Sequence, residues 1–183
     1  MNSQIVSSAL ARVLLALALA LVALSSPPTA RAVPPPQFGP RTSFPLPYSP
    51  YSIIVADLNR DATPDLAVAT SGGVSVLLGF GNGGFTAPTN FNVYVDYLAA
   101  GDFNNDSRLD LAALGSGGYV GTILLGDGKG SFPAKTNSLS AYYSQGFTVG
   151  DFNGDGKLDY ASAGIRNTVV AFGRGDGSFG SPT

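Results

Sequence analysis

The sequence predicts an all-β fold made of short four-stranded units repeated about every 47 residues. Three observations predict it. Phe38, Phe85, Phe132 and Phe179 stand 47 residues apart each time, and the residues before the last three match: GFGNGGF, GDGKGSF and GRGDGSF. A nine-residue acidic motif recurs once per unit, as Asp57–Asp65 (DLNRDATPD), Asp102–Asp110 (DFNNDSRLD) and Asp151–Asp159 (DFNGDGKLD). Between these motifs lie apolar runs of strand length bounded by Gly, Asn and Asp, and none is long enough for a helix.

In chain order, Met1 to Ala32 reads as a secretory signal peptide: Arg12 gives the positive charge, Val13 to Leu24 the apolar run, and Ala30-Arg31-Ala32 the small-x-small cleavage pattern. Twelve apolar residues fall short of the roughly 20 needed to span a bilayer. Residues 33–37, opening Val-Pro-Pro-Pro, are expected to be a spacer, because proline suits neither a helix interior nor an inner strand. The repeats follow as 38–84, 85–131 and 132–178, with 179–183 starting a fourth. Expected strands in the first are Ser52–Ala56, Leu66–Thr70 and Val74–Leu78. The second has Tyr97–Ala100, Leu111–Leu114 and Thr122–Leu125; the third has Phe147–Val149, Tyr160–Ala163 and Thr168–Phe172. An outer segment, such as Thr42–Leu46, is expected to precede each set. Four strands in 47 residues is the arithmetic of a propeller blade, and helical repeats of that period would need long 3.6-periodic stretches. Three blades do not close a ring of the usual four to eight, so self-association, a longer gene product or an open arc each remain open.

Composition removes whole classes of chemistry. The chain has no Cys, His or Trp, and every one of its 12 acidic residues is Asp. Thiol nucleophiles, Ser-His-Asp triads, disulfide frameworks and the usual zinc sites are therefore excluded. The net charge of −2, or −4 once Arg12 and Arg31 leave with the signal, argues against nucleic acid as a partner. No catalytic constellation is visible, and the chain is read as a non-enzyme.

The DxNxDGxxD-type loops paired with LLGxGxGxF-type turns resemble the FG-GAP / VCBS repeat family, whose integrin α members form a β-propeller. The resemblance spans Phe38 to Thr183. It implies a β-propeller, calcium in the acidic loops, and an adhesion or protein-interaction role.

Nine of the 12 Asp fall in the three loops. Calcium takes six to eight hard oxygen ligands. Side chains at loop positions 1, 3, 5 and 9, with the carbonyl of position 7, can converge on one ion. The candidate ligands are Asp57, Asn59, Asp61, Thr63 and Asp65 in the first loop. In the second they are Asp102, Asn104, Asp106, Arg108 and Asp110; in the third, Asp151, Asn153, Asp155, Lys157 and Asp159. An EF-hand is excluded, because Val68, Ala113 and Ser162 stand where its bidentate Glu would be. Gly156 at position 6 suits a bend with positive φ, whereas Ala62 and Ser107 occupy that place in loops one and two. Loop three is therefore expected to bind best. The ion's expected role is structural: it removes the repulsion among three carboxylates and clips the hairpin.

Weaker signals remain. Tyr48 and Tyr51, Tyr94 and Tyr97, and Tyr142 and Tyr143 lie just before the acidic loops, where rings with polar tips could stack on a sugar or a partner surface, or simply pack. Arg174-Gly175-Asp176 spells an integrin-ligand tripeptide, but Phe80-Gly81-Asn82 and Asp127-Gly128-Lys129 occupy the same place in the other units, so it reads as a turn. The sequon at Asn105 lies inside a metal loop and is discounted. The expectation is a secreted, calcium-binding interaction module whose partner is an extracellular protein or glycan, with no membrane association after signal removal. A carbohydrate-binding lectin using the Tyr loops, or an accessory segment of a secreted enzyme, are the alternatives.

Overall fold

The computed structural model describes residues 39–115, 120–140, 145–164 and 166–181. The expected signal peptide and spacer lie outside them. The chain divides into two units, Met1–Thr42 and Ser43–Thr183, and the described strands all belong to the second. All its described elements are strands: β1 (Pro50–Ala56), β2 (Asp65–Thr70), β3 (Gly73–Leu77), β4 (Thr89–Phe91), β5 (Tyr97–Gly101), β6 (Asp110–Leu114), β7 (Val120–Leu125), β8 (Ala134–Ser140), β9 (Gly146–Gly150), β10 (Asp159–Ala163) and β11 (Thr168–Ala171). Among the described residues no helix is long and apolar enough to cross a membrane.

The strands form three antiparallel meanders in sequence order: β1-β2-β3-β4, β5-β6-β7-β8 and β9-β10-β11. All nine expected inner strands are present within a residue or two of their expected bounds. Two expectations need correction. Thr42–Leu46 is not a strand, and among the described residues the third sheet shows three strands, its fourth position falling outside them. The outer strands β4 and β8 also join the sheet before them, β4 pairing with β3 and β8 with β7. The 47-residue period is unaffected, but the first two sheets close on their outer strands rather than opening on them.

Alternation explains the stacking. In a strand successive side chains point to opposite faces. In β2 and β3, Ala67, Ala69, Val74 and Val76 share one cluster with Leu98, Leu111, Ala113 and Leu124 of the second sheet. The other face of that sheet, with Ala112, Leu114 and Ile123, shares a second cluster with Tyr160, Ala171 and Phe179. The middle sheet is thus covered on both faces, and all five residues of β6 are buried. On the uncovered side of the first sheet, Ile53 is 57% exposed and Val55 64%. Burial of apolar area at about 25 cal/mol per Å² drives this face-to-face packing.

Candidate functional site

Each acidic loop joins the first strand of a sheet to the second, and each folds the same way. In loop one both carboxylate oxygens of Asp57 accept backbone N–H groups, from Asp61 at 3.1 Å and Ala62 at 2.9 Å. Asn59 Oδ1 also accepts the Asp61 N–H, and Asp61 Oδ1 accepts that of Thr63 at 2.8 Å. Asp102, Asn104 and Asp106 repeat the pattern in loop two. Asp151, Asn153 and Asp155 repeat it in loop three. These are Asx-type turns, in which a short acidic or amide side chain replaces a missing backbone partner.

The curl needs left-handed residues at positions 4 and 6. Arg60 and Ala62 have φ of 65° and 63°, Asn105 and Ser107 58° and 63°, and Gly154 and Gly156 78° and 79°. The need for positive φ at position 6, read from Gly156, holds in all three loops; position 4 was not anticipated. A left-handed conformation costs an L-residue about 1–2 kcal/mol, and glycine avoids it. Ala62→Gly is therefore expected to raise stability by about 0.5–1 kcal/mol after the entropy of the unfolded glycine is counted. A urea midpoint unchanged or lowered in that variant would refute the strain assignment.

The ninth position is employed differently. Asp65, Asp110 and Asp159 are fully buried at the starts of β2, β6 and β10. One oxygen of each accepts the N–H of loop position 2: Leu58 at 2.8 Å, Phe103 at 2.9 Å and Phe152 at 2.9 Å. The other accepts the N–H of the first glycine in the Gly-x-Gly turn: Gly79, Gly126 and Gly173, each at 2.8 Å. The ninth Asp thus straps the acidic loop to the Gly-rich turn at the same end of the blade. The sequence pairs the two motifs in every unit but does not show the bond that joins them. Their constant co-occurrence was the available signal, since the strap spans 14, 16 and 14 residues.

The electrostatics follow. The hydrogen bond from the Asn59 side chain, then those from Thr63, hold the Asp61 carboxyl below the usual range. The Gly156 N–H does the same most strongly for Asp151. Burial pushes Asp110 up, against the opposing N–H groups of Gly126 and Phe103. Position 7 supplies cations: Arg108 pairs with Asp106 at 3.5 Å and Lys157 with Asp155 at 3.4 Å. Such exposed pairs are worth little. The donor set, three carboxylates, an amide and a backbone carbonyl per loop, is hard oxygen throughout and fits a calcium-class cation. Among the described residues, however, no three carboxylates are drawn together closely enough to hold a metal.

The opposite end of the blades is aromatic. The β2–β3 turn and the connection from β4 to β5 lie there, away from the acidic loops. Tyr48 and Tyr94 are 47% and 56% exposed, and their rings lie against Gly72 and Gly115, where a side chain would collide. Tyr51 is 58% exposed on β1. Tyr97 instead packs half-buried against the second core cluster, while Tyr142 and Tyr143 lie outside the described residues. Asp176 of the Arg-Gly-Asp turn accepts the backbone N–H and the hydroxyl of Ser178, at 2.9 and 2.6 Å, as its turn role requires.

Stacked antiparallel sheets with an oxygen-rich loop strapped to a Gly-rich turn in every unit define a propeller-type blade-repeat protein. The FG-GAP-like repeat family matches residues 57–113 and again 102–162, and the chain belongs to it. No curated protein sequence matches the chain. Among solved structures, the chain is similar to a lectin of Agrocybe aegerita, described for its specific recognition of non-reducing terminal N-acetylglucosamine. The TM-score is 0.56 at 24% identity over 72% of this chain, a likeness of fold. The chain spans 37% of that lectin's length.

Proposed function

We propose that this protein is a secreted, non-catalytic binding module whose blades are scaffolds clipped by calcium and whose partner is an extracellular protein. One observation carries the reading. The polar groups that recur in every unit are spent on shaping the blade, as the repeated hydrogen bonds of the three loops and their straps illustrate. Calcium would be held by positions 1, 3 and 5 and the carbonyl of position 7, with the ninth Asp keeping the loop on its strand. When bound, the ion neutralises the clustered carboxylates. At 100 times its Kd it would add about 2.7 kcal/mol, or about 5–10 °C in Tm. A melting temperature that does not move between excess calcium and excess chelator would remove the clip.

A glycan-binding reading is favoured by a separate observation, the exposed Tyr48 and Tyr94 rings at the end away from the loops. The lectin of similar fold supports it. Tyr48→Ala and Tyr94→Ala are then expected to weaken binding on a glycan array at least about tenfold, as loss of an aromatic anchor does. Binding that survives both changes, or no glycan bound at all, would leave the protein-partner reading.

A further inference from the structure

Between the outer strands of the first two sheets lies a cleft of about 300 Å³. The end of β4 and the residues after it form one wall, and the start of β8 with the residues before it forms the other. Phe91, Leu124 and Phe132 make an apolar floor. Leu124 and Phe132 are buried in the core cluster shared by the two sheets, and the rings of Phe91 and Phe132 meet edge to face at 5.3 Å. Three polar side chains line the same cleft, Asn90, Asn92 and Lys135, and among the described residues no acid does. An apolar surface with a few polar groups that fix orientation is the make-up of a small-ligand site.

Two of these polar residues are not part of the blade's repeating framework. At the place of Lys135 the other units carry Pro88 and Pro182, and at the place of Asn92 they carry Pro45 and Leu139. The repeat is therefore apolar at both positions, and only this seam makes them polar. Lys135 makes no ion pair among the described residues, unlike Arg108 and Lys157 in the acidic loops. Asn90 is fixed from behind, because its Oδ1 accepts the Ser75 hydroxyl at 2.5 Å, from the residue opposite it on β3. Its NH₂ group is thereby left for another acceptor. All three side chains are exposed, so the cleft offers an unpaired ammonium and two amides above an apolar floor.

We propose that this cleft is a binding site for an acidic sugar residue of the uronate class. Each part of such a ligand has its counterpart here. The Lys135 ammonium has three donors and no acceptor, which suits a carboxylate, and the charge strengthens the bond. The Asn92 amide offers both a donor and an acceptor, as a sugar hydroxyl does, and the Asn90 NH₂ adds a further donor. The C–H face of a pyranose ring is apolar and rests on Phe91 and Phe132. Other ligands match only in part. A neutral sugar leaves the ammonium unpaired, and an inorganic anion or a peptide carboxylate brings neither the ring for the floor nor the hydroxyls for the amides. A cleft of about 300 Å³ lies at the small end of ligand sites, with room for one ring. Neither Tyr48 nor Tyr94 lines it, so the site does not rest on the glycan reading of those rings.

The test is a titration of the full chain, followed by amide chemical shifts in NMR, with glucuronate, glucose and acetate as probes. Glucuronate is expected to shift the Asn92 and Lys135 amides saturably. It is expected to bind at least about tenfold more tightly than glucose or acetate, the effect of one hydrogen bond to a charged group. Lys135→Met keeps an unbranched stem and is expected to bring glucuronate down to the affinity of glucose. Asn92→Ala is expected to weaken glucuronate at least about threefold. Both side chains are exposed, and retained far-ultraviolet circular dichroism will report an intact fold. Tyr48→Ala is expected to leave glucuronate affinity within about twofold, which separates this site from the tyrosine reading. Four results overturn the proposal: no saturable shift with glucuronate, acetate bound as tightly as glucuronate, glucose bound as tightly as glucuronate, or glucuronate affinity unchanged in Lys135→Met.

Discussion

Asp110→Ala is expected to lower the stability of the fold by about 4 kcal/mol, read as a fall in the urea midpoint at constant slope. Asp110 is fully buried, and its two oxygens take the N–H groups of Phe103 and Gly126 at 2.9 and 2.8 Å. Truncation leaves both donors without an acceptor where water cannot replace it, and each such orphan costs about 1–3 kcal/mol. The residue is kept despite its charge. Burial raises its carboxyl, so the folded chain holds that proton more tightly than the unfolded one. The contribution of this ionisation to stability therefore declines as pH rises from the ordinary carboxylate value through the raised one. Its worth lies in the two bonds. Asp110→Asn, which keeps one acceptor and turns an NH₂ toward the other donor, is expected to fall between Ala and wild type. A loss below about 1 kcal/mol for the Ala variant would mean that the acidic loop and the Gly-rich turn stand independently.

Gly126→Ala attacks the same strap from the other side and is expected to cost about 3 kcal/mol. A Cβ there would run into the carbonyl oxygen of Leu109, a backbone atom that cannot rotate away. Gly79 and Gly173 meet the carbonyls of Pro64 and Leu158 in the same manner. Gly83 is the contrast, for its surroundings are open and only its φ of 85° resists a side chain, at about 1–2 kcal/mol. Because Gly126 and Asp110 share one hydrogen bond, the double variant is expected to be destabilised by less than the sum of the singles, with a coupling of about 1 kcal/mol or more. Additivity within about 0.3 kcal/mol would show that the glycine matters only for its own turn.

Much of this fold is legible in the sequence, for local reasons. The inner strands are apolar runs closed at one end by Asp and at the other by Gly, and they are buried on one or both faces. The outer strands were harder to place. Residues TNF of β4 and AKTNSLS of β8 are polar and lack clean alternation, because an edge strand has less to bury. Thr42–Leu46 has the right period and composition for such a strand but pairs with no strand among the described residues, and periodicity cannot supply a partner. In the loops, the acidic positions were readable one by one. The distinction between the outward side chains of positions 1, 3 and 5 and the strapped carboxylate of position 9 was not.

The sequence by itself determined the repeat, its all-β character, the hard-oxygen chemistry of the loops and the left-handed bend at their sixth position, because each depends on residues within a few places of one another. Tertiary structure alone decided that the ninth Asp is enclosed and doubly bonded, and that the middle sheet is covered on both faces. Those outcomes depend on which sheet face meets which, and desolvation and hydrogen-bond satisfaction are settled only when segments distant in the chain come together.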